Sequence, residues 1–209
     1  MQPESFFVVA GKETWEQVID KSRFIGIITP VANSAEIEDA FQAIREHYPN
    51  ARHYVYAYRL KEGQTERASD DGEPQGTGGR PILDVLQHKH VWNVLLVVVR
   101  YFGGILLGTG GLTRAYSSSA REVLAQTSLK LLQPHVVFNL HISYSWYDQV
   151  KYHFSQRGWE AGRENFTEFV ELETYIPLAE AETFASWLTE YTAGQVAWEK
   201  GATIWRPGN

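Results

Sequence analysis

The 209-residue sequence contains no cysteine. This excludes a disulfide framework, a thiolate metal site and a cysteine nucleophile. Long hydrophobic runs are also missing. The longest aliphatic stretch, Val94 to Val99, is far shorter than the ~20 residues that span a bilayer, and Met1-Gln2-Pro3-Glu4 is not a basic region leading into an apolar one. A soluble, cytoplasmic protein without membrane contact is expected. There is no basic excess either: the formal net charge is −6, whereas proteins that hold nucleic acid by bulk electrostatics carry a positive surplus. The imbalance is uneven. Residues 1–132 carry 15 acidic and 14 basic side chains, and residues 133–209 carry 10 and 5, so any contact with nucleic acid falls to local features of the first part. Nucleotide motifs are absent. Gly108-Thr109-Gly110 is not followed by the third glycine of a dinucleotide fingerprint, and no Gly-Lys-Ser/Thr occurs. Ser117-Ser118-Ser119 lacks the Gly-x-Ser-x-Gly elbow of an esterase and reads as helix packing.

What is present is an ordinary globular composition, 44% hydrophobic and 21% charged, in a chain long enough for two small domains. Ser5 to Val9 and Arg23 to Pro30 read as strands. Asn33 and Glu36 stand at capping-box spacing before Ile37, Ala40, Phe41 and Ile44, which predicts a helix over 34–47. A strand over 53–60 leads into a polar loop over 61–80 in which no core is expected. Pro81 suits the first turn of a short helix through Lys89. The run Val91 to Phe102 reads as a strand buried on both faces. After a glycine-rich turn, Gly103 to Gly111, helical spacing returns from about Thr113 to Gln126. Leu131-Leu132-Gln133-Pro134 supplies a break. The remainder alternates as strand, helix, two strands, helix and strand, a ferredoxin-like order.

Two segments concentrate the chemistry. The first runs from the buried strand through Gly103, Gly104, Gly108, Gly110 and Gly111 into a helix start. Glycine lets a ligand approach the backbone, and the first N–H groups of a helix attract anions. With Arg100 and Arg114 flanking it, this segment is either an anion site or a tight structural connection. The second holds Asp70, Asp71 and Glu73. These carboxylates can collect Mg²⁺ through oxygen ligands, or form an acidic turn that bonds its own backbone. The acidic turn is favoured, and no metal or cofactor is assigned. His53 serves as an acid or base only if it faces a pocket; His88 and His90 lack a third ligand for zinc.

Four ordered motifs carry a family resemblance. They are Lys21-Ser22-Arg23-Phe24; Ala51-Arg52-His53 with Ala57-Tyr58-Arg59; Asp70-Asp71-Gly72-Glu73-Pro74 with Gly76-Thr77; and Arg100-Tyr101-Phe102-Gly103-Gly104 with Leu107-Gly108, Gly110-Gly111-Leu112 and Arg114-Ala115-Tyr116. Together they resemble the YigZ/IMPACT family. The resemblance implies an α+β protein of two domains. Residues 1–132 would form a ribosomal-protein-S5 domain 2-like α/β domain, similar to the fourth domain of elongation factor G. Residues 133–209 would form a ferredoxin-like βαββαβ domain, similar to that factor's fifth. Gly78 stands where family members commonly have alanine, which is expected to loosen the loop.

The eukaryotic relatives regulate translation by competing for a protein activator of an initiation-factor kinase, using an additional amino-terminal domain that this sequence does not show. What carries over is translation-associated or nucleic-acid-associated binding, an associational step. The leading expectation is a non-enzymatic protein that binds RNA or the ribosome. Lys21, Arg23, Arg100 and Arg114 would meet phosphates, and the backbone N–H groups over 103–111 would approach the ligand. His53, Asp70, Asp71, Glu73, Thr77 and Tyr101 complete the candidate surface. This requires the acidic loop and the glycine segment to lie side by side. A Mg-dependent phosphate-handling enzyme and a protein-interaction module stay open.

Overall fold

The computed structural model describes residues 4–208. The chain divides into two compact units, Phe6–Leu131 and a second that begins at Leu132.

In the first unit, strands β1 (Phe6–Val9), β2 (Glu13–Ile19) and β3 (Ser22–Pro30) precede helix α1 (Ser34–His47). Then come β4 (His53–Leu60), β5 (Thr65–Ser69), α2 (Gly79–His88), β6 (Val94–Tyr101) and α3 (Gly108–Gln126). Five strands form an antiparallel sheet in the order β2-β3-β6-β4-β5. Because successive side chains of a strand point to opposite faces, the central β6 feeds two cores. Leu96 and Val98, with Phe24, Val55 and Ala57, pack on Ile82 and Leu86 of α2 and on Tyr116, Ala120 and Val123 of α3. Leu95, Val97 and Val99, with Ile25 and Ile27, pack on Ile37 and Ile44 of α1. Cover on both faces is why β6 reads as an unbroken apolar run. Helix α1 starts as its spacing predicts: Asn33 Oδ1 accepts the Glu36 N–H at 3.0 Å, and Glu36 Oε2 accepts the Ala32 N–H at 2.8 Å.

Strand β7 (Leu129–Ile142) leads into the second unit, followed by α4 (Tyr144–Arg157), β8 (Glu160–Phe166), β9 (Val170–Pro177), α5 (Ala181–Tyr191) and β10 (Ala197–Pro207). The sheet runs β8-β9-β7, with β10 on the far side of β7. This is the ferredoxin-like order. Inward residues Phe138, Leu140, Leu172 and Ile176 meet Val150 and Phe154 of α4 and Phe184 and Leu188 of α5. The protein is thus α+β, an S5 domain 2-like unit followed by a ferredoxin-like one.

Four expectations need correction. The loop expected over 61–80 contains strand β5, which pairs with β4 from Tyr56 to Leu60, and Glu73 and Thr77 in it are buried. Strand β2 was not expected at all; its exposed Thr14, Glu16 and Val18 alternate with the half-buried Trp15, Gln17 and Ile19. The two units divide within the expected break, between Leu131 and Leu132, but the strand does not end at Pro134: β7 runs through it, with Pro134 opposite Trp205 of β10 and pairing with β9 starting only at His135. Helix α3 begins at Gly108, so Gly108, Gly110 and Gly111 belong to its first turn.

Candidate ligand-binding cleft

Arg100 is the last residue but one of the central strand, and the ladder sets it beside Phe24 of β3 and His53 of β4 on the face that carries α3. One strand further, Gln17 stands opposite Phe24, and its side-chain amide donates to Ser118 Oγ and Ser119 Oγ of α3, both at 2.8 Å. The serine run therefore anchors the helix to β2, as helix packing requires.

The acidic loop folds over this row. Glu73 Oε1 accepts Arg100 Nη1 at 2.5 Å and the Tyr116 hydroxyl at 2.6 Å, and lies 3.8 Å from His53 Nε2. Arg100 and Glu73 are both almost wholly buried. Burial, then the bond to Glu73, pushes the Tyr116 hydroxyl far above its ordinary pKa, so it remains a donor. Asp71 O faces His53 Nδ1 at 2.7 Å, and its Oδ2 accepts the Tyr54 N–H at 2.7 Å. The Asp71 carbonyl can only accept, so His53 carries a proton on Nδ1. Asp70 accepts the N–H groups of Gly76, Gly78 and Gly79 at 2.8, 2.9 and 2.8 Å. Thr77 Oγ1 donates to Pro74 O at 2.6 Å. Each acidic side chain thus has protein donors of its own, the arrangement of a self-bonded turn. Among the described residues no cluster of three metal-ligating side chains occurs.

The glycine segment closes the other side. Gly103 lies so close to the β2–β3 turn that a Cβ there would sit 2.0 Å from the Lys21 carbonyl carbon; its N–H donates to the buried Ser22 Oγ at 3.2 Å. Beyond it, Phe102, Ile105 and Leu106 project outward, Leu106 with 87% of its surface exposed. The residue before helix α3, Leu107, has no side chain that can cap it, and among the described residues no side-chain cap is made there, which leaves its first amides available to an anion.

Between loop and segment lies a cleft of about 410 Å³, lined by Arg52, His53, Glu73 and Pro74 on one side and by Phe102, Leu106 to Thr109 and Leu112 on the other, with Arg100. The two motifs do lie side by side. Among the described residues, Arg100 Nε is buried without a hydrogen-bond partner. Arg52 and Arg114 are exposed, and neither enters an ion pair among the described residues.

The other candidates stand differently. Arg23 and Tyr101 pair across β3 and β6, one residue out of phase with Arg100 and so on the opposite face. Arg23 is held by the Glu16 carboxylate at 2.6 and 2.8 Å, and Tyr101 OH donates to Pro49 O at 3.1 Å. Lys21 occupies the β2–β3 turn with φ +62°, and Gly104 has φ +85°. Residues that sequence reasoning passed over are Arg52, Phe102, Leu106, Thr109 and Tyr116. Arg52 was legible beside His53; Tyr116 was hidden because its spacing marks only a core position.

The Impact N-terminal domain matches residues 20–124, half of the chain. The chain belongs to the IMPACT family. A domain of unknown function, DUF1949, matches residues 140–195. The IMPACT family member YvyE of Bacillus subtilis (strain 168) is 35% identical over 192 residues, 91% of this chain and 88% of that protein. The IMPACT family member YigZ of Escherichia coli (strain K12) is 32% identical over 197 residues, 92% of this chain and 96% of that protein. The crystal structure of a hypothetical protein superposes with a TM-score of 0.62 at 30% identity, covering 96% of this chain and 99% of the other. The IMPACT domain match takes in every residue of the cleft, from Arg52 to Leu112. Among the described residues no helix is long and apolar enough to cross a membrane.

Proposed function

We propose that this member of the IMPACT family is a non-enzymatic, cytoplasmic binding protein that grips the phosphates of RNA, free or within the ribosome, and so acts in the regulation of translation. The observation that carries the reading is the uncapped N-terminus of α3 opening into a cleft beside Arg52 and the buried, unpartnered Arg100 Nε. Helix amides and a guanidinium at one place favour a phosphate oxygen. Such contacts position a partner without reading its sequence. The exposed Phe102, Ile105 and Leu106 beside the cleft favour a macromolecular partner over a small free anion.

Some of the expected contacts are redistributed in this reading. Arg100 serves through Nε because its Nη1 is taken by Glu73 and its Nη2 by Ser22 Oγ at 3.4 Å, and Arg52 and Arg114 supply the accessible charge, with Lys21 at the margin. Asp70, Asp71 and Glu73 hold the loop in shape, with Thr77 and His53. A Mg-dependent phosphate-handling enzyme would need these carboxylates free for a cation, and each already serves protein donors.

Binding of labelled RNA and of ribosomal particles to the purified chain, measured over a range of salt, tests the proposal. Affinity should fall as salt rises, and Arg52→Ala with Arg114→Ala should weaken it further. Absence of binding at low salt, or an unaffected double variant, removes the proposal.

A further inference from the structure

Helix α1 leaves part of its sheet face open. Between α1 and strands β4 and β5 lies a groove of about 360 Å³, walled by Phe41, Tyr56 and Tyr58 and bordered by Glu38, Arg45 and Arg67. Tyr56 and Tyr58 are two residues apart on β4 and so share a face. Their rings are parallel to within 2°, with centroids 6.4 Å apart, and Phe41 meets Tyr56 edge-on at 5.1 Å.

These two tyrosines differ from Tyr54, their neighbour on the same face. Tyr54 is buried, and its hydroxyl donates to Tyr48 O at 2.6 Å. Tyr56 and Tyr58 are half-buried, and neither hydroxyl makes a hydrogen bond among the described residues. Arg67 stands opposite Tyr58 in the β4–β5 ladder, is exposed, and enters no ion pair among the described residues. Arg45 lies over the Phe41 ring at 5.0 Å, with Asp71 Oδ1 at 4.0 Å.

We infer that this groove is a base-stacking platform for single-stranded nucleic acid: an unpaired base lies against Tyr56 and Tyr58, and Arg67 and Arg45 meet the adjoining phosphates. The inference rests on the nucleic-acid reading above and extends it to a site on the opposite face of the sheet. Aromatic rings on a strand stack the splayed bases of single strands, whereas a duplex keeps its bases inside its own stack. Glu38 offers an acceptor for a base amino group, as carboxylates do for cytosine. Aromatic grooves also take proline-rich peptides. Such a peptide offers these guanidinium groups only neutral carbonyls, whereas a single strand brings phosphates that form the stronger charge-assisted bonds, which is why nucleic acid is the assigned occupant.

The test uses the full chain and a single-stranded RNA of about 12 nucleotides, fluorescein-labelled, beside its duplex and a proline-rich peptide. A second strand carries 2-aminopurine, whose fluorescence falls when it stacks. The wild type should bind the single strand more tightly than the duplex or the peptide and quench the 2-aminopurine. Tyr56→Leu with Tyr58→Leu keeps apolar bulk in the groove; it should weaken single-strand binding about tenfold and abolish the quench. Arg67→Gln should weaken binding and reduce its salt slope by about one. Arg67 is exposed and holds no ion pair among the described residues, so this variant carries the test if the double leucine variant does not fold. If the wild type binds the single strand but the folded variants match it within about twofold and the quench persists, the platform is overturned while the cleft reading stands. A preference for the peptide or the duplex also overturns the platform. If the wild type binds no RNA at low salt, the cleft reading fails and the platform with it.

Discussion

The hydroxyl of Tyr116 donates to Glu73 Oε1 at 2.6 Å across 43 residues of chain. The same oxygen takes Arg100 Nη1 at 2.5 Å. One carboxylate oxygen thereby pins the acidic loop to the central strand and to α3, and sets the floor of the cleft. Breaking a buried ion pair from one side leaves a charge without compensation. Glu73→Ala should therefore destabilise the first unit by about 3–5 kcal/mol, and Tyr116→Phe, which leaves the ion pair, by about 1–2 kcal/mol. Chemical denaturation of the full chain measures both. Equal losses for the two would mean that the ion pair contributes nothing beyond the hydroxyl.

Asp70 gives an acid dependence with a defined sign. Burial alone would raise its pKa, but the N–H groups of Gly76, Gly79 and Gly78 outweigh that and hold the carboxyl below its ordinary range. The folded pKa lies below the unfolded one, near 3.9. Its stabilisation is therefore complete above about pH 4 and is lost as pH falls through the folded value. Asp70→Asn should cost about 1 kcal/mol at neutral pH and flatten the loss of stability on acidification. Urea midpoints at neutral and acid pH for both proteins check this. An unchanged pH dependence in the variant would assign it to other carboxylates.

How far the sequence discloses the structure depends on how local the governing interaction is. The start of α1 was legible because Asn33 and Glu36 are three residues apart. The burial of β6 was legible because both its faces are apolar. Strand β5, Thr-Glu-Arg-Ala-Ser, was not: it is an edge strand, and its residues are exposed or half-buried, so no alternation marks it. The site shows the same division. That the acidic loop and the glycine segment meet was read from motifs alone. That Arg100 spends one nitrogen on Glu73, and that Arg23 turns to the other face, follow from pairing and register, which no spacing in the chain reveals.

Gly78 illustrates the difference between a motif and its setting. Alanine at this position was expected to tighten the loop, yet its Cβ would stand 2.6 Å from Val55 Cγ1 and 3.4 Å from Tyr116 Cδ2. The glycine is tightly packed. Gly78→Ala should therefore destabilise by about 1–3 kcal/mol through overpacking. Adding Val55→Ala removes the blocking methyl groups, so the double variant should be more stable than the two single losses summed predict. Additive losses in that cycle would show that the alanine is accommodated elsewhere. Gly103→Ala has no such remedy, because the atom in its way is the Lys21 backbone.

Leu106 separates binding from folding. With 87% of its surface exposed, it gives the fold little, and Leu106→Ser should leave stability within about 0.5 kcal/mol of the wild type. At the mouth of the cleft beside Phe102, it is placed to be covered by whatever docks there. An apolar residue buried at an interface commonly costs 1 kcal/mol or more when truncated. Binding to ribosomal particles should therefore weaken about fivefold or more in Leu106→Ser, and the Phe102→Ser, Leu106→Ser pair should lose more. Sedimentation with the particles, alongside thermal melts, provides both readings. Retained binding with unchanged stability would place the partner's contact away from this loop.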